Sequence, residues 1–382
     1  MIKIFRVVTS NYCISTHLLN TIKRVPDGYR LYLIGDNVRE YAYLNKSVIF
    51  IDLPIKRNFN LFVDLYCLFT LFYLSIKIRP QITHSIMAKA GFISSIAFFL
   101  ARVPLRIHTF TGQIWATKTG IKKFLLIQID KIICYLNSDC LTDSRSQSNF
   151  LFNNSIYKFN KPLKYILNGS ISGVDLSRFD KINSSLKKDY KQKYKISEND
   201  FVIMYIARKS IDKGCLDMLK IFRTLNNSLT NIKFFFIGPD ESGGQIDEFY
   251  LNNLSIKSSI IDLDFVNNHE VFLSLSNLLC LPSYREGFGT IIIDAGAASV
   301  PSIGYKIPGL MDSIVDNKTG FLIDLGDTDS FSEKIIDIYH DKTMLNTLKL
   351  NAFNYVDKNF NADQFNKELY KYYTTLFKLL KL

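Results

Sequence analysis

Short apolar runs alternate with helix-length segments along the whole chain. The strand-like runs are Ile4–Thr9, Arg30–Ile34, Ile82–Ser85, Leu105–Phe110, Cys140–Thr142, Phe201–Ala207, Ile232–Ile237, Ser259–Phe265, Leu278–Leu281 and Pro301–Gly304. This alternation predicts parallel sheets that are covered by helices on both faces. We therefore expect an α/β protein with two Rossmann-like domains.

The alternation is interrupted between Asn168 and Tyr194, where glycines, serines and lysines dominate. Because 382 residues exceed the usual length of one domain, we predict an N-terminal domain over 1–170, a C-terminal domain over 171–362 and a final helix over 363–382. That helix would cap the second domain or cross back to the first. Ligands of open α/β sheets bind beyond the carboxyl ends of the strands, so the expected site is a cleft between the two domains.

Basic residues are concentrated in the first half of the chain. Residues 1–170 contain 22 Lys and Arg against 8 Asp and Glu, a net charge of +14, whereas the remainder has a net charge of −2. This asymmetry favours an anionic partner such as a membrane surface, a phosphorylated acceptor or nucleic acid, although a solvated basic surface stays open. The apolar segment Leu61–Ile78 contains Asp64 and Lys77, which favours a buried or interfacial helix over a membrane span.

The six cysteines form no C-x-x-C pair, and several lie in apolar runs. They predict reduced thiols and a cytoplasmic protein. The first ten residues have too short an apolar stretch for a signal peptide and predict a first strand instead.

The most informative stretch follows the strand Leu278–Leu281 and contains the tetrapeptide E-G-F-G, Glu286 to Gly289. Gly287 and Gly289 allow backbone N–H groups to approach a ligand closely, and a helix N-terminus favours phosphate. Carboxylates near a diphosphate must be directed at neutral donors such as sugar hydroxyls, which points to a nucleotide-sugar. The alternatives are a helix-capping role for Glu286 and a solvated helix position for Asp294.

Two basic residues lie just after another predicted strand in the second half of the chain. Arg208 follows the strand Phe201–Ala207, and Lys213 precedes a helix. At the carboxyl edge of one sheet they would neutralise the charge that develops on a departing diphosphate. An exposed ion-pair role for Arg208 is the alternative.

In the first half, Lys89 lies at one strand-to-helix turn, and His108, Thr111 and Gly112 lie at the next. These residues are the candidates for the acceptor side. A structural role remains the favoured interpretation for His108 and for His84, because a single histidine in an apolar stretch is usually a satisfied core residue.

Other catalytic signatures are missing from the sequence. It contains no G-x-G-x-x-G after the first strand, no P-loop, no H-E-x-x-H and no Cys/His cluster with zinc spacing. It also lacks a recognisable nucleic-acid-binding motif, so a nucleic-acid partner is not expected.

Taken together, these motifs resemble the retaining glycosyltransferases of family 4, which have the GT-B fold, and their bacterial surface-polysaccharide branch in particular. The similarity spans nearly the whole chain. It is carried by E-G-F-G-T-I-I-I-D from Glu286 to Asp294, by the spacing of Arg208 and Lys213, by NGSISGVDLSRF from Asn168, and by the run from His84 to Thr117.

The resemblance implies specific roles. Glu286 would bind hydroxyls of the donor sugar, and Asp294 would hold the ribose. Arg208 and Lys213 would bind the diphosphate. The neighbouring Gly287 and the backbone N–H groups of Phe288, Gly289 and Thr290 complete the predicted donor site.

The sequence departs from the family pattern at three places. Asp294 replaces the usual Glu, Ser10-Asn11-Tyr12 replaces the usual Gly-Gly, and Thr111-Gly112 replaces a His-Gly turn. Acceptor-side roles therefore transfer poorly from the family.

The expected activity is retaining, metal-independent transfer, without a cofactor, of a hexosyl or N-acetylhexosaminyl group from a UDP-linked donor. The acceptor would be a polyprenyl-diphosphate-linked glycan of O-antigen or capsule synthesis at the inner face of a bacterial membrane. A UDP-sugar 2-epimerase and a non-catalytic nucleotide-sugar-binding scaffold are the alternatives.

Overall fold

The computed structural model describes residues 1–9 and 13–379, apart from the side chains of Ser15, Thr16 and Ser255. The chain divides into two compact units. Unit 1 comprises Met1–Gly173 and the segment from Ala362 onward, and unit 2 comprises Val174–Asn361. The division after Gly173 lies three residues beyond the predicted one. The final helix belongs to unit 1, which is the second of its two predicted placements.

Unit 1 contains a parallel sheet of six strands. These are Ile2–Val7 (β1), Tyr29–Gly35 (β2), Ile49–Asp52 (β3), Ile82–Ile86 (β4), Leu105–Phe110 (β5) and Asp139–Thr142 (β6). Their order is β3-β2-β1-β4-β5-β6. Because β1 pairs with both β2 and β4, the order reverses at β1, as in Rossmann-like sheets.

Helices cover both faces of this sheet. They are Leu19–Lys23 (α1), Leu61–Ile78 (α2), Ala88–Leu100 (α3), Gly120–Leu136 (α4), Arg145–Asn153 (α5) and Ala362–Leu379 (α16). Side chains alternate along β1, so Phe5 packs with Leu71 of α2 and Phe98 of α3, whereas Ile4 packs with Leu369 of α16. Helices α2 and α3 therefore lie on the face opposite to the final helix.

Unit 2 contains a second parallel sheet of six strands. These are Phe201–Ile206 (β7), Ile232–Ile237 (β8), Ile260–Leu263 (β9), Leu278–Leu281 (β10), Ser302–Tyr305 (β11) and Gly320–Ile323 (β12). Their order is β12-β11-β10-β7-β8-β9. The helices are Ser177–Asp180 (α6), Ser184–Lys193 (α7), Cys215–Ser228 (α8), Gln245–Leu251 (α9), Leu254–Lys257 (α10), His269–Leu275 (α11), Thr290–Ala297 (α12), Leu310–Ser313 (α13), Thr328–His340 (α14) and Lys342–Asn359 (α15).

The sequence pattern missed one strand in each sheet, β3 and β12. Each has only four residues and pairs on one side alone, β3 with β2 and β12 with β11. The edge strands β6 and β9 are equally short and were predicted, so edge position alone does not explain the omission.

Candidate functional site

The candidate site lies in unit 2, where the loops that follow β7 and β10 touch. These strands are hydrogen-bonded neighbours, so their carboxyl ends open at the same edge of the sheet. Gly214 ends the first loop with φ +68°, and a Cβ atom there would lie 1.7 Å from the carbonyl oxygen of Pro282 in the second. Only glycine allows both this backbone conformation and this approach.

An ion pair joins the two loops. Lys213 Nζ lies 2.7 Å from Glu286 Oε1. The same carboxylate accepts a hydrogen bond from Ser283 Oγ at 2.9 Å, and Lys213 Nζ donates to the carbonyl oxygen of Arg285 at 3.3 Å. Burial lowers the pKa of Lys213 below its ordinary value, although Glu286 acts in the opposite direction. Glu286 is thus held by a cation and by a hydroxyl group.

Arg208 joins this cluster through Asp212. Arg208 Nη2 lies 3.9 Å from Asp212 Oδ2, and its Nη1 pairs with Glu241. The same Asp212 oxygen accepts from Arg285 Nη2 at 2.5 Å. Burial would raise the pKa of Asp212, but the Ser210 hydroxyl and the cations Arg285, Lys213 and Arg208 lower it to about 2. The structure therefore brings the predicted Arg208, Lys213 and Glu286 together in one cluster.

The E-G-F-G turn is held in place by packing contacts. Phe288 is buried and packs edge-on against Phe360, with 5.2 Å between ring centroids. A Cβ at Gly309 would lie 2.5 Å from the carbonyl oxygen of Gly287, so the loop after β11 packs on this turn. Gly289, with φ +75°, immediately precedes α12, and Thr290 is the first residue of that helix. The turn thus presents a helix N-terminus, which favours an anion.

A buried carboxylate anchors the loop that follows β10. Asp217 of α8 accepts hydrogen bonds from Tyr284 Oη at 2.6 Å and from Tyr305 Oη at 2.9 Å. Burial and this carboxylate raise the pKa of Tyr284 to about 12. Sequence reasoning missed this contact, because it joins three elements that are distant along the chain.

Asp294 is buried, so its interpretation as a solvated helix residue is wrong. Its Oδ2 lies 2.9 Å from His269 Nε2, and its Oδ1 lies 3.6 Å from Arg178 Nη1. Arg178 also binds Glu270 Oε2 at 3.1 Å. Burial alone would lower the pKa of Arg178, but the two carboxylates outweigh it and raise that pKa.

Neither Arg178 nor His269 was among the predicted site residues. Arg178 lies inside the NGSISGVDLSRF run, so the resemblance could have pointed to it as a site residue. No sequence motif contains His269. Both residues help to fix the one helical carboxylate that the resemblance assigns to the ribose.

The predicted acceptor residues of unit 1 do not form one cluster. Lys89 Nζ pairs with Asp64 Oδ1 of α2 at 2.7 Å. His108 is completely buried and lies 2.9 Å from Ser85 Oγ, and burial lowers its pKa to about 3. The acceptor-side assignment of His108 is therefore wrong, since it is a neutral core residue as the favoured alternative held.

Thr111 and Gly112 directly follow β5, where Thr111 is half-buried and Gly112 has φ +47°. His84 is buried beside Arg6 and Tyr373, in agreement with a structural role. The Ser10-Asn11-Tyr12 departure lies outside the described residues. Within residues 1–9 and 13–379, no three His, Cys, Asp or Glu side chains form a group that could hold a metal ion.

Comparisons with known proteins agree with this geometry. Residues 187–355 match the family described as glycosyl transferases group 1. The capsular polysaccharide biosynthesis glycosyltransferase CapM of Staphylococcus aureus is 29% identical over 91% of this chain and 90% of CapM. The UDP-Gal:alpha-D-GlcNAc-diphosphoundecaprenol alpha-1,3-galactosyltransferase of Escherichia coli is 28% identical, with coverage of 84% and 82%.

Solved structures show the same architecture. Anabaena HepE in complex with UDP-glucose matches with a TM-score of 0.81 at 16% identity, over 98% of this chain and 100% of HepE. Sucrose-phosphate synthase from Thermosynechococcus elongatus matches with a TM-score of 0.81 at 15% identity, over 99% and 100%. These similarities confirm the predicted GT-B architecture of two Rossmann-like domains.

Proposed function

We propose that the chain, which these matches identify as a glycosyltransferase with the GT-B fold, moves a sugar from a UDP-linked donor to a lipid-linked glycan with retention of configuration. The observation that carries this proposal is the cluster of Arg208, Lys213 and Glu286 beside the N-terminus of α12. It combines cations for a diphosphate with a carboxylate for sugar hydroxyls. The proposed assignment of the chain to family 4 rests on the sequence motifs.

The cluster suits a departing diphosphate. As the bond between the anomeric carbon and the phosphate oxygen breaks, negative charge develops on that oxygen. Arg208, Lys213 and the N–H groups at the start of α12 are positioned to stabilise it without reorganisation. Lys213 carries three donors, so it can bind a phosphate oxygen while it still holds Glu286. The contacts with Lys213 and Ser283 also limit the orientations of the Glu286 carboxylate.

The transfer needs no covalent help from the protein. The new bond forms between the acceptor oxygen and the anomeric carbon on the face that the phosphate leaves, and the acceptor proton passes to the departing phosphate oxygen. The protein contributes position and electrostatic stabilisation, which can account for a large part of a rate enhancement. On this view the reaction requires neither a metal nor a cofactor.

The relatives support the choice of substrates. The name of the Escherichia coli relative gives UDP-Gal as its donor and a diphosphoundecaprenol-linked sugar as its acceptor, and HepE binds UDP-glucose. A lipid-linked acceptor places the reaction at a membrane surface, and the net charge of +14 over residues 1–170 favours the anionic cytoplasmic leaflet. We therefore propose a cytoplasmic enzyme that associates peripherally with the membrane and serves capsule or O-antigen synthesis.

The test is turnover with a panel of UDP-sugars and polyprenyl-diphosphate-linked glycans, followed by mass analysis of the products. Glu286→Gln should reduce turnover about 100-fold to 10,000-fold, on the scale of a lost transition-state contact. Glu198→Gln is the matched control, because Glu198 forms an exposed ion pair with Lys191. Near-normal turnover of Glu286→Gln would remove this carboxylate from the site. Donor conversion without any acceptor would favour an epimerase.

A further inference from the structure

Helix α2 of unit 1 is apolar on its outer side as well as its inner side. Cys67 and Leu71 face the core, whereas Phe62 and Phe69 are 83% and 64% exposed. The exposed stripe consists of Phe62, Leu65, Tyr66, Phe69, Tyr73 and Ile76. A helix that is apolar all round is normally buried in a protein core or in lipid. In the part of the chain that the structure describes, no other element covers the outer side of α2.

A second exposed apolar stripe lies on α4 in the same helical layer. Helix α3 contacts both α2 and α4. The exposed large apolar residues of α4 are Ile121, Phe124, Leu125, Ile132 and Tyr135. We call the outer sides of α2 and α4 the apolar layer. Clusters of exposed apolar side chains on two helices of one layer are typical of an interaction site.

The charges around the apolar layer have one sign. Residues 54–136 contain 11 Lys and Arg but only 2 Asp and Glu. Both acids are engaged inside the unit, since Asp64 pairs with Lys89 at 2.7 Å and Asp130 accepts from Trp115 Nε1 at 2.7 Å. The exposed charged residues of this segment are all cations: Lys56, Arg57, Lys77, Arg79, Arg102, Lys118 and Lys122.

We propose that the apolar layer inserts into the interface of an anionic lipid membrane, with these cations at the level of the headgroups. Aromatic and aliphatic residues surrounded by Lys and Arg are the pattern of a surface that lies in this interface. Helix α2 meets the length and composition for a membrane span. However, Cys67, Leu71 and Ser75 hold one side of it in the core of unit 1, so it lies along the membrane.

This inference deepens the proposed function, because it names the surface through which an enzyme with a lipid-linked acceptor contacts the membrane. It also changes the physical basis of that contact. Charge alone predicts binding that disappears in high salt, whereas inserted apolar side chains retain binding there.

The test is flotation of the full chain with vesicles of phosphatidylglycerol and phosphatidylethanolamine. It is carried out at about 0.05 M salt, where exposed charges interact over a long distance, and at about 1 M salt, where they are screened. Wild type should bind at both concentrations. The double variant Phe62→Ser/Phe69→Ser should bind at least about 10-fold less at both, since the lost surface is apolar. The matched control is Leu251→Ser/Leu254→Ser, which removes two exposed apolar residues from unit 2 and should bind like wild type.

A fluorescence readout does not depend on the stability of that variant. The only tryptophan, Trp115, is buried, so Phe69→Trp adds a reporter on the exposed side of α2. Its emission should shift to the blue when anionic vesicles are added. No shift, or wild-type flotation of Phe62→Ser/Phe69→Ser, would overturn the proposal. Flotation that is lost completely in high salt would also overturn it.

Two further outcomes assign the layer to other partners and would equally overturn it. One is a dimeric wild type that the double variant converts to a monomer without loss of lipid binding. The other is binding to an acidic protein partner but not to vesicles. UDP binding, measured by calorimetry, should be unchanged in Phe62→Ser/Phe69→Ser. Failure of flotation with normal transfer activity would therefore reject only the membrane inference.

Discussion

Two carboxyl groups, Asp212 of unit 2 and Asp130 of unit 1, have pKa values shifted in opposite directions. In unit 2, Asp212 lies among Arg285, Lys213 and Arg208, and its pKa is lowered to about 2. In unit 1, Asp130 is buried with a hydrogen bond from Trp115, and its pKa is raised to about 7 because burial dominates. Near pH 7 the Asp212 carboxylate is therefore ionised and pairs with cations, whereas Asp130 is about half protonated.

The difference extends to the cations. Unit 2 holds Arg178, Arg208 and Lys213 in ion pairs with partly or fully buried carboxylates. Unit 1 directs most of the basic residues between 54 and 136 to its surface, around an exposed apolar layer. A basic composition alone would not separate these uses. On the two proposed assignments, pairing and burial, rather than net charge, distinguish a binding site for one ligand from a surface for an extended partner.

After the substitution of Glu286, the largest expected effect comes from separating the two loops of the unit 2 cluster. Gly214→Ala would place a Cβ 1.7 Å from the carbonyl oxygen of Pro282 and would add strain at φ +68°. The loops must move apart, which displaces Lys213 from Glu286. We expect transfer activity to fall about 100-fold or more, because displacements on the order of 1 Å have that effect. Steady-state kinetics measure it.

Gly243→Ala is the control for Gly214→Ala. Gly243 has the same φ of +68°, but a Cβ there has no heavy atom within 4 Å. It carries the conformational cost without the collision, so we expect nearly normal kinetics and a loss of about 1 kcal/mol in the free energy of unfolding. Equal loss of activity in both variants would show that backbone strain, and not the contact between loops, sets the geometry.

The contact at Gly214 also shows what the sequence could and could not predict. Strand ends were readable from apolar runs, and ligands of parallel sheets bind at the carboxyl edge, so the sequence predicted that Arg208, Lys213 and Glu286 lie together. The collision with Pro282 depends on β7 lying beside β10, two strands that are far apart in sequence. Local periodicity contains no such information.

The same reason explains the other omissions. The partners Asp212 and Arg285 come from the two loops that only the strand order brings together. The apolar segment Leu61–Ile78 was predicted to be buried or interfacial, and the structure shows one side buried and the other exposed. Its composition could not separate these alternatives, because both sides of the helix are apolar.

The second largest effect is expected at the buried Asp294. Asp294→Asn removes one of the two carboxylates that bind Arg178 and leaves Glu270 at 3.1 Å. Removing a partner from a buried pair costs about 3 to 5 kcal/mol, so with Glu270 retained we expect a loss of roughly 2 kcal/mol in the free energy of unfolding. Denaturant titration measures this loss.

Glu270→Gln is the comparison for Asp294→Asn, since it removes the other carboxylate of Arg178. Both variants should lose stability. If Asp294 also holds the ribose, only Asp294→Asn should raise the KM for the UDP-linked donor. An equal KM for both variants would limit Asp294 to a structural role.

A smaller effect is expected from the buried Asp130 of unit 1. The pKa of Asp130 is about 7 in the folded chain against a model-peptide value of 3.8, so the folded state binds more protons between these values. Stability therefore falls as the pH rises through this window. Asp130→Asn cannot ionise, and its stability relative to wild type should increase by about 2 kcal/mol between about pH 5.5 and 7. A constant difference across this range would mean that Asp130 is already ionised at the lower pH.

The smallest effect is expected at the rim of the cluster in unit 2. Glu241 is partly exposed and pairs with Arg208, the guanidinium that we assign to the diphosphate. An incoming diphosphate competes with this carboxylate for the same donors. An exposed pair contributes up to about 1 kcal/mol, so Glu241→Gln should lower the KM for the donor about 2-fold to 5-fold. The gain should shrink in high salt, which screens the competition. A higher KM for the donor would instead mean that Glu241 orients Arg208. Glu241 would then act like Asp212, which holds the cations of the cluster in place.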